Sequence, residues 1–249
     1  MAVRAGEVLM KNGAEIYRVE DTITHICKAA RIAHVETFAT PTGIFASIGS
    51  GGKEGEVDTY IKAIRTRTTN LNRISMINNL SRSFTRGEVS VEEGIEKIDR
   101  IENSKSMPFK FRVFGAGMCS CLFTYMFGGS YTEALFGFLA GALCYLLSVF
   151  LDRHNVNFFI GGFCCCALNG LIALTLKETG LIPNHHFMII GVLMLFVPGA
   201  AITNALRDLI NGDTLSGVAR TAEAIAVAIS LASGVGSVLK LWSYLMELF

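Results

Sequence analysis

The sequence PGAAITNALRDLINGDTLSGVARTAEA, residues 198–224, separates two apolar runs within residues 187–242. Five polar or charged side chains lie there, inside or beside helices otherwise built from Leu, Ile, Val, Ala and Gly: Asn204, Arg207, Asp208, Arg220 and Glu223. Ionisable groups at membrane depth are energetically costly, so they mark a pathway or a binding site. The pair Pro198 and Gly199 predicts a helix break that frees backbone groups close to these side chains. The pattern indicates a transport protein.

Charged residues divide the chain into two parts of different character. Residues 1–112 contain 17 Lys or Arg and 14 Asp or Glu. Residues 113–249 contain only 5 Lys or Arg and 7 Asp or Glu. We therefore predict a membrane protein in which a small α+β cytoplasmic domain, residues 1–108, precedes a transmembrane domain, residues 109–249. The second domain is expected to be an α-helical bundle of about five transmembrane helices, each near the length that a bilayer requires. The predicted spans are 112–127, 131–151, 156–176, 186–206 and 217–242.

The positions of Lys and Arg near the span ends predict the orientation, because cytoplasmic loops are enriched in both residues. Lys110 and Arg112 precede the first span, and Arg153 lies between the second and the third. Arg207 and Arg220 flank the turn between the fourth and the fifth. Since the alternate loops contain fewer bases, we expect the N-terminal domain in the cytoplasm and the C-terminus on the outer face.

Two parts of the N-terminal domain have helical periodicity. Residues 2–32 place apolar side chains on one stripe, and residues 70–104 return to helix with an N-cap at Ser90. A group of charged side chains in the first part could form a site in this domain: Glu15, Arg18, Glu20 and Asp21. A solvated helix face with salt bridges explains these charges equally well.

Between the helical parts the sequence favours strands. Residues 34–48 are rich in β-branched and aromatic residues, with a turn expected at Pro41, and residues 56–68 are typical of a further strand. Thr40 and Thr42 flank the turn, where their hydroxyl groups could bind a substrate or hydrogen-bond the turn itself. The second explanation is the more common one for such residues.

Several protein classes are excluded or disfavoured. The chain has no glycine-rich phosphate loop, GxSxG or HExxH motif, so we do not expect an enzyme. A net charge of +1 without a basic patch gives no indication of nucleic-acid binding. Cys164, Cys165 and Cys166 are consecutive, so on a helix they point in different directions and cannot converge on one metal ion. We expect no disulfide, no metal site and no cofactor.

Helical spacing arranges the polar residues of the opening stretch in two stripes. The first stripe is Asn204, Arg207 and Asp208, and the second contains Ser216, Arg220 and Glu223. Because a guanidinium group can donate two parallel hydrogen bonds to a carboxylate, the arginines are predicted to bind a carboxylate-bearing substrate. Glu223 or Asp208, partly desolvated, could exchange protons. In the alternative interpretation, four residues are only anchors and salt-bridged turn residues at the cytoplasmic interface: Arg207, Asp208, Asp213 and Arg220.

Three separated motifs resemble the N-terminal module of the threonine/serine exporter (ThrE) family, and most closely its YjjP-like split subunits. They are NGAEIYRVEDTI (12–23), ETFATPTGIFASI (36–48) and PGAAITNALRDLINGDTLSGVARTAEA (198–224). The resemblance covers essentially the whole chain. It implies a bacterial inner-membrane exporter module for threonine and serine or, in split two-subunit versions, for succinate.

The family's motif positions carry over to two groups of residues. In the membrane part they are Pro198, Gly199, Thr203, Asn204, Arg207, Asp208, Gly212, Asp213, Ser216, Gly217, Arg220 and Glu223. In the N-terminal domain they are Gly13, Arg18, Glu20, Asp21, Thr40, Pro41, Thr42 and Gly43.

The resemblance also implies a partner. Fused family members continue into a second membrane half, whereas this sequence ends at Phe249, so we expect a separately encoded small membrane protein that resembles that half. A homo- or hetero-oligomer is expected. The alternative is a regulatory or scaffolding subunit whose partner forms the transport pathway.

Overall fold

The computed structural model describes residues 1–49, 57–66, 68–104 and 107–248. Its contacts divide the chain into two compact units. The first comprises Met1–Lys105 together with Ala200–Ala222, and the second comprises Ser106–Gly199 together with Glu223–Phe249. The first unit is therefore discontinuous in sequence, because residues that follow most of the second unit return to complete it.

The first unit begins with two helices and a three-stranded sheet. The elements are α1 (Ala2–Lys11), α2 (Ile16–Ala29), β1 (His34–Thr40), β2 (Gly43–Gly49) and β3 (Val57–Ala63). The sheet is antiparallel in the order β1-β2-β3, and Thr40 pairs with Gly43 across the turn. The predicted hairpin and the third strand are thus confirmed.

Residues 2–32 form two helices where the sequence predicts one continuous stripe. The chain turns at residues 12–15, where Gly13 has a φ of +88° and the N–H of Ala14 donates to the carbonyl of Leu9 at 3.1 Å. Glycine adopts this left-handed conformation without a Cβ clash, so it ends α1 in the manner of a helix C-cap. The apolar stripe itself is confirmed, since its residues on both helices, such as Leu9 and Ile23, are buried in one core.

Two further helices complete the N-terminal portion of this unit. They are α3 (Leu71–Thr85) and α4 (Val91–Glu102). The predicted N-cap at Ser90 is confirmed, because its side chain accepts the N–H of Glu93 while the Glu93 carboxylate accepts the N–H of Ser90. Ile77 of α3 and Ile98 of α4 are fully buried in the same core as α1 and α2.

The remaining helices run through the rest of the chain. They are α5 (Phe109–Met126), α6 (Tyr131–Arg153), α7 (Phe158–Glu178), α8 (His186–Leu193), α9 (Gly199–Ile210) and α10 (Thr214–Leu248). Within the described ranges, α6, α7 and α10 are long and apolar enough to cross a membrane. The first predicted span, 112–127, overlaps α5, which has 18 residues and is not among these three helices. The fourth predicted span is divided between α8 and α9, with the break just before Gly199.

Small residues bring the helices of the second unit close together. A Cβ atom at Gly141 of α6 would overlap the side chain of Ser120 on α5, and one at Gly191 of α8 would overlap Thr124 on α5. In a lipid environment such close approach gains dispersion energy that larger side chains would prevent. The packing of α5, α6 and α8 therefore depends on these glycines.

Candidate functional site

The turn between α1 and α2 receives polar side chains from α9. The amide Nδ2 of Asn204 donates to the carbonyl of Gly13 at 3.0 Å. Arg207 and Asp208 follow on the same face of α9, at the offsets of three and four residues that helical geometry requires. Both also contact residues of the turn, so the helical spacing of these three residues directs their side chains to one surface, residues 13–16. We call this arrangement the clasp, formed by residues 13–16, Asn204, Arg207, Asp208 and Arg220.

Asp208 caps the first turn of α2 from a distant part of the chain. The N-cap residue of α2, Glu15, makes no side-chain cap hydrogen bond. Instead, the N–H of Ile16 donates to Oδ1 of Asp208 at 3.3 Å. The first N–H groups of a helix have no partner within the helix, and a carboxylate at that position also interacts favourably with the helix dipole. Asp208 therefore stabilises α2 much as a local N-cap would.

Arg220 balances the charge of Asp208 inside the unit. Its Nε lies 3.1 Å from Oδ2 of Asp208, and its Nη2 donates to the carbonyl of Ala14 at 2.9 Å. The side chains of Asp208 and Arg220 are only 0% and 8% exposed. Burial raises the pKa of Asp208 above its ordinary value, although the charge of Arg220 and the N–H of Ile16 act against this increase. A buried pair of this kind is strongly destabilising if one partner is removed.

Glu15 lies between two arginines at the edge of the clasp. Its Oε1 is 2.5 Å from Nη1 of Arg207, and its Oε2 is 2.8 Å from Nε of Arg18. Burial alone would raise the pKa of Glu15, but hydrogen bonds from a backbone N–H and from Arg207, together with the charge of Arg18, hold it below its ordinary value. The side chain of Arg207 is 54% exposed, whereas that of Glu15 is only 10% exposed. Arg207 is therefore the accessible guanidinium of the clasp.

The structure brings together four of the six residues that the sequence predicts to bind substrate. Asn204, Arg207, Asp208 and Arg220 meet at the clasp. Ser216 is buried in the first turns of α10, within the same unit. Glu223 is exposed and begins the part of α10 that belongs to the second unit. Pro198 and Gly199 lie at the break before α9, also in the second unit.

The candidate residues of the N-terminal domain do not converge on one site. Arg18 pairs with Glu15, as described above. Glu20 accepts the N–H of Ala39 at 2.7 Å, and burial raises its pKa. The hydroxyl groups of Thr40 and Thr42 are 3.3 Å apart in the β1–β2 turn, where that of Thr40 also donates to the carbonyl of Gly43. The two threonines thus form hydrogen bonds within the turn.

Asp21 is instead part of a polar groove. This groove lies between α2 and α3 and has a volume of about 540 Å³. Arg18 and Asp21 line it from α2, and Arg82 and Arg86 line it from α3.

Sequence reasoning missed the importance of Glu15 and of the backbone around it. The charge pattern allows either a site or a solvated helix face at Glu15, and the structure buries this carboxylate between Arg18 and Arg207. The available signal was Gly13, whose position within an otherwise helical pattern indicates a break with free carbonyl groups. No pattern within α9 identifies residues 13–16 as its partner.

The second unit contains a smaller cavity of about 210 Å³. Its polar lining includes Tyr145, Ser148, Asp152 and Ser230, and the remainder is apolar. The hydroxyl group of Ser230 donates to the carbonyl of Phe159. Among the residues that the structure describes, no group of His, Cys, Asp and Glu is arranged to hold a metal ion.

A family model described as "Putative threonine/serine exporter" (ThrE) matches residues 1–242 of this chain. The chain is 23% identical over 244 residues to "Threonine/serine exporter" of Corynebacterium glutamicum, covering 95% of this chain and 49% of that protein. It is 20% identical to "Probable threonine/serine exporter" of Mycobacterium tuberculosis, covering 94% of this chain and 44% of that protein. The chain thus spans about half the length of these two relatives.

A third relative is similar over nearly its whole length. The chain is 22% identical over 247 residues to "Probable succinate transporter subunit YjjP" of Escherichia coli, covering 97% of this chain and 93% of that protein. No solved structure matches the chain.

Proposed function

Because this chain belongs to the threonine/serine exporter (ThrE) family, we propose that it is a membrane export subunit for a small carboxylate-bearing metabolite. The substrate would be a succinate-like dicarboxylate or a hydroxy amino acid such as threonine or serine. Relatives with either substrate in their names support this class, and a carboxylate is the chemical group that these substrates share.

The clasp supplies the observation that carries the proposal. Each of its arginines already binds a carboxylate of the chain, Glu15 at Arg207 and Asp208 at Arg220. The planar guanidinium fork suits this recognition, and a substrate carboxylate has the same geometry as the side chain of a glutamate. Because the clasp already binds carboxylates of the chain, it has the hydrogen-bond donors that a substrate carboxylate requires.

The two arginines would have different roles in this scheme. Arg207 is half exposed, so a substrate carboxylate can exchange with Glu15 there. Arg220 is buried against Asp208 and the carbonyl of Ala14, so it holds the turn in place and contributes positive charge. Asn204 and Ser216 would orient the rest of the substrate. Glu223, or Asp208 with its raised pKa, would couple the cycle to protons.

We place the protein in a bacterial inner membrane, with the N-terminal domain in the cytoplasm and the C-terminus on the outer face. The charge bias of the loops supports this orientation. The break between α8 and α9 would interrupt a fourth span and α5 would form the first, giving five spans in all. A small membrane protein is proposed as the partner, because one relative of similar length is named a transporter subunit and two others are about twice as long.

An efflux assay tests the proposal. Cells that express the chain and its partner are loaded with succinate or threonine, and export is followed for Arg207→Ala and Arg220→Ala. Arg100→Ala is the matched control, because Arg100 pairs with Glu96 on the exposed surface of α4. We expect loss of export in both clasp variants and normal export in the control. Unimpaired efflux at normal protein levels would exclude the clasp as the substrate site.

One observation favours a second function, that of a regulatory or scaffolding subunit. Asn204, Arg207 and Asp208 each form a hydrogen bond with residues 13–16 in this structure, as expected for an arrangement whose role is structural. Reconstitution in liposomes separates the two functions. Uptake or efflux by the chain without its partner would exclude a pure scaffold, whereas export that survives disruption of the clasp would favour it.

A further inference from the structure

The groove between α2 and α3 has an unusual side-chain composition for a protein surface. Its volume of about 540 Å³ lies in the range of small-molecule sites. One wall is formed by the exposed face of α2 with Arg18 and His25, and the other by α3 with Asn78, Arg82 and Arg86. Arg82 lies in the last turn of α3 and Arg86 directly follows the helix, four residues later, so both project to the same side.

Positive charge dominates this groove. Three guanidinium groups line it, against the single carboxylate of Asp21. Glu15 and Glu88, which lie outside the lining, pair with Arg18 and Arg86, and Arg82 adds a further guanidinium group. The lining therefore favours a negatively charged ligand.

The contacts that these arginines make within the chain leave donors for a ligand. Arg86 donates from Nε and Nη2 to the two carboxylate oxygens of Glu88, at 2.5 and 3.0 Å, and from Nη2 to the hydroxyl group of Ser83, which leaves Nη1 for a ligand. Arg18 uses Nε for Glu15 and Nη2 for the hydroxyl group of Tyr17, which leaves other N–H groups of its fork. Arg82 is exposed on the wall of the groove. A ligand that contacts both walls can therefore form charge-assisted hydrogen bonds to arginines of two helices.

We propose that this groove is a binding site for a small anion with two or more acidic groups, separate from the clasp. One acidic group would be bound by Arg82 and Arg86 on α3 and another by Arg18 on α2, with the amide of Asn78 as a neutral donor. Carboxylates and phosphates both fit this chemistry, since each accepts bidentate hydrogen bonds from arginine. Occupancy would connect α2 and α3 through the ligand.

Direct binding to the purified full-length chain tests the site. Titration calorimetry is carried out with citrate and with inorganic pyrophosphate, which separate a carboxylate ligand from a phosphate ligand. We expect saturable binding of at least one anion, weakened by added salt because surface charges are screened. Arg82→Gln and Arg86→Gln should each weaken it about tenfold, as expected for the loss of one charge-assisted hydrogen bond.

Two comparisons keep the result unambiguous. Arg82→Lys should retain part of the affinity, and Arg100→Gln, on α4 outside the groove, should bind as the unchanged protein does. Unchanged melting temperatures show that the variants are folded. The site would be overturned if neither anion binds saturably, or if Arg82→Gln binds with the same affinity as the unchanged protein. Neither result affects the proposed export function, which is measured by efflux and depends on Arg207 and Arg220.

Discussion

The carboxylate of Asp208 accepts the backbone N–H of Ile16 at 3.3 Å, although 192 residues separate them in sequence. This contact places a residue of α9 at the first turn of α2, where a local N-cap side chain would normally lie. Because Asp208 also pairs with Arg220, one buried carboxylate both caps a helix and neutralises a buried cation. The stability of the first unit should therefore be unusually sensitive to this residue.

Removal of that carboxylate should destabilise the protein strongly. In Asp208→Ala, Arg220 is left buried without its ion-pair partner and α2 loses its cap, so we expect a loss of about 3–5 kcal/mol. The measurement is the midpoint of thermal unfolding in detergent. Asp99→Ala is the control, because Asp99 is half exposed where it pairs with Arg4, and it should cost about 1 kcal/mol or less. Equal effects of the two substitutions would contradict a structural role for the buried pair.

The turn at Gly13 should not tolerate a side chain. Gly13→Ala forces an L-residue into a φ of +88° and brings its Cβ within 3.3 Å of the carbonyl oxygen of Thr68. The left-handed conformation alone costs about 1–2 kcal/mol. Gly87→Ala is a close control, since Gly87 has a φ of +74° with open space around the Cβ position. Thermal unfolding should therefore show a larger loss for Gly13→Ala, and a smaller or equal loss would mean that the turn can rearrange.

Glu15 should make stability dependent on pH on the acid side. Its pKa in the folded protein is below the ordinary value of 4.5, so its contribution is fully present above that pH and is lost as the pH falls through the lowered value. Glu15→Gln lacks this contribution. The difference in melting temperature between the unchanged protein and Glu15→Gln should be greatest at neutral pH and should shrink as the pH falls below about 4.5.

Asp208 acts with the opposite sign. Its pKa is raised by folding, so the folded protein binds that proton more readily than the unfolded chain and gains stability as the pH falls through the raised value. Both proteins in the Glu15 comparison retain Asp208, so its contribution largely cancels. A difference that stays constant from neutral to acidic pH would show that Glu15 does not titrate as its surroundings require.

The close packing between α8 and α5 should also be sensitive to an added methyl group. In Gly191→Ala the new methyl group would overlap the backbone and side chain of Thr124, and such overpacking typically costs about 1–3 kcal/mol. Gly236→Ala, on α10, adds a methyl group in open space and should be neutral or stabilising by up to about 1 kcal/mol. Thermal unfolding in detergent measures both, and a loss in Gly236→Ala as large as that in Gly191→Ala would argue against packing as the cause.

Local features of this fold could be read from the sequence because their causes are local. The hairpin at residues 34–49 follows from β-branched residues around a short turn, and the start of α4 follows from the reciprocal bonds of Ser90 and Glu93. The break before α9 coincides with Pro198 and Gly199, where a proline cannot continue the helix ladder. Each signal lies within a few residues of the structure that it determines.

The clasp could be predicted only in part, because its partners are distant in sequence. Periodicity places Asn204, Arg207 and Asp208 on one face of α9, and the structure has Asp208 and Arg220 in contact. Neither periodicity nor propensity indicates that this face packs against residues 13–16, since any exposed turn with free carbonyl groups would satisfy the same donors. The interruption between α1 and α2 was also hidden, because the apolar stripe continues across it and both helices contribute to one core.

The discontinuity of the first unit has a consequence for the order in which the chain folds during synthesis. Residues 1–105 leave the ribosome well before residues 200–222, which complete the unit. At about 5–20 residues per second, the intervening segment takes roughly 5–20 s to synthesise. During that interval the N-terminus of α2 lacks its cap and Glu15 lacks Arg207. The contacts of α9 and Arg220 with residues 13–16 can therefore form only after the intervening helices have been synthesised.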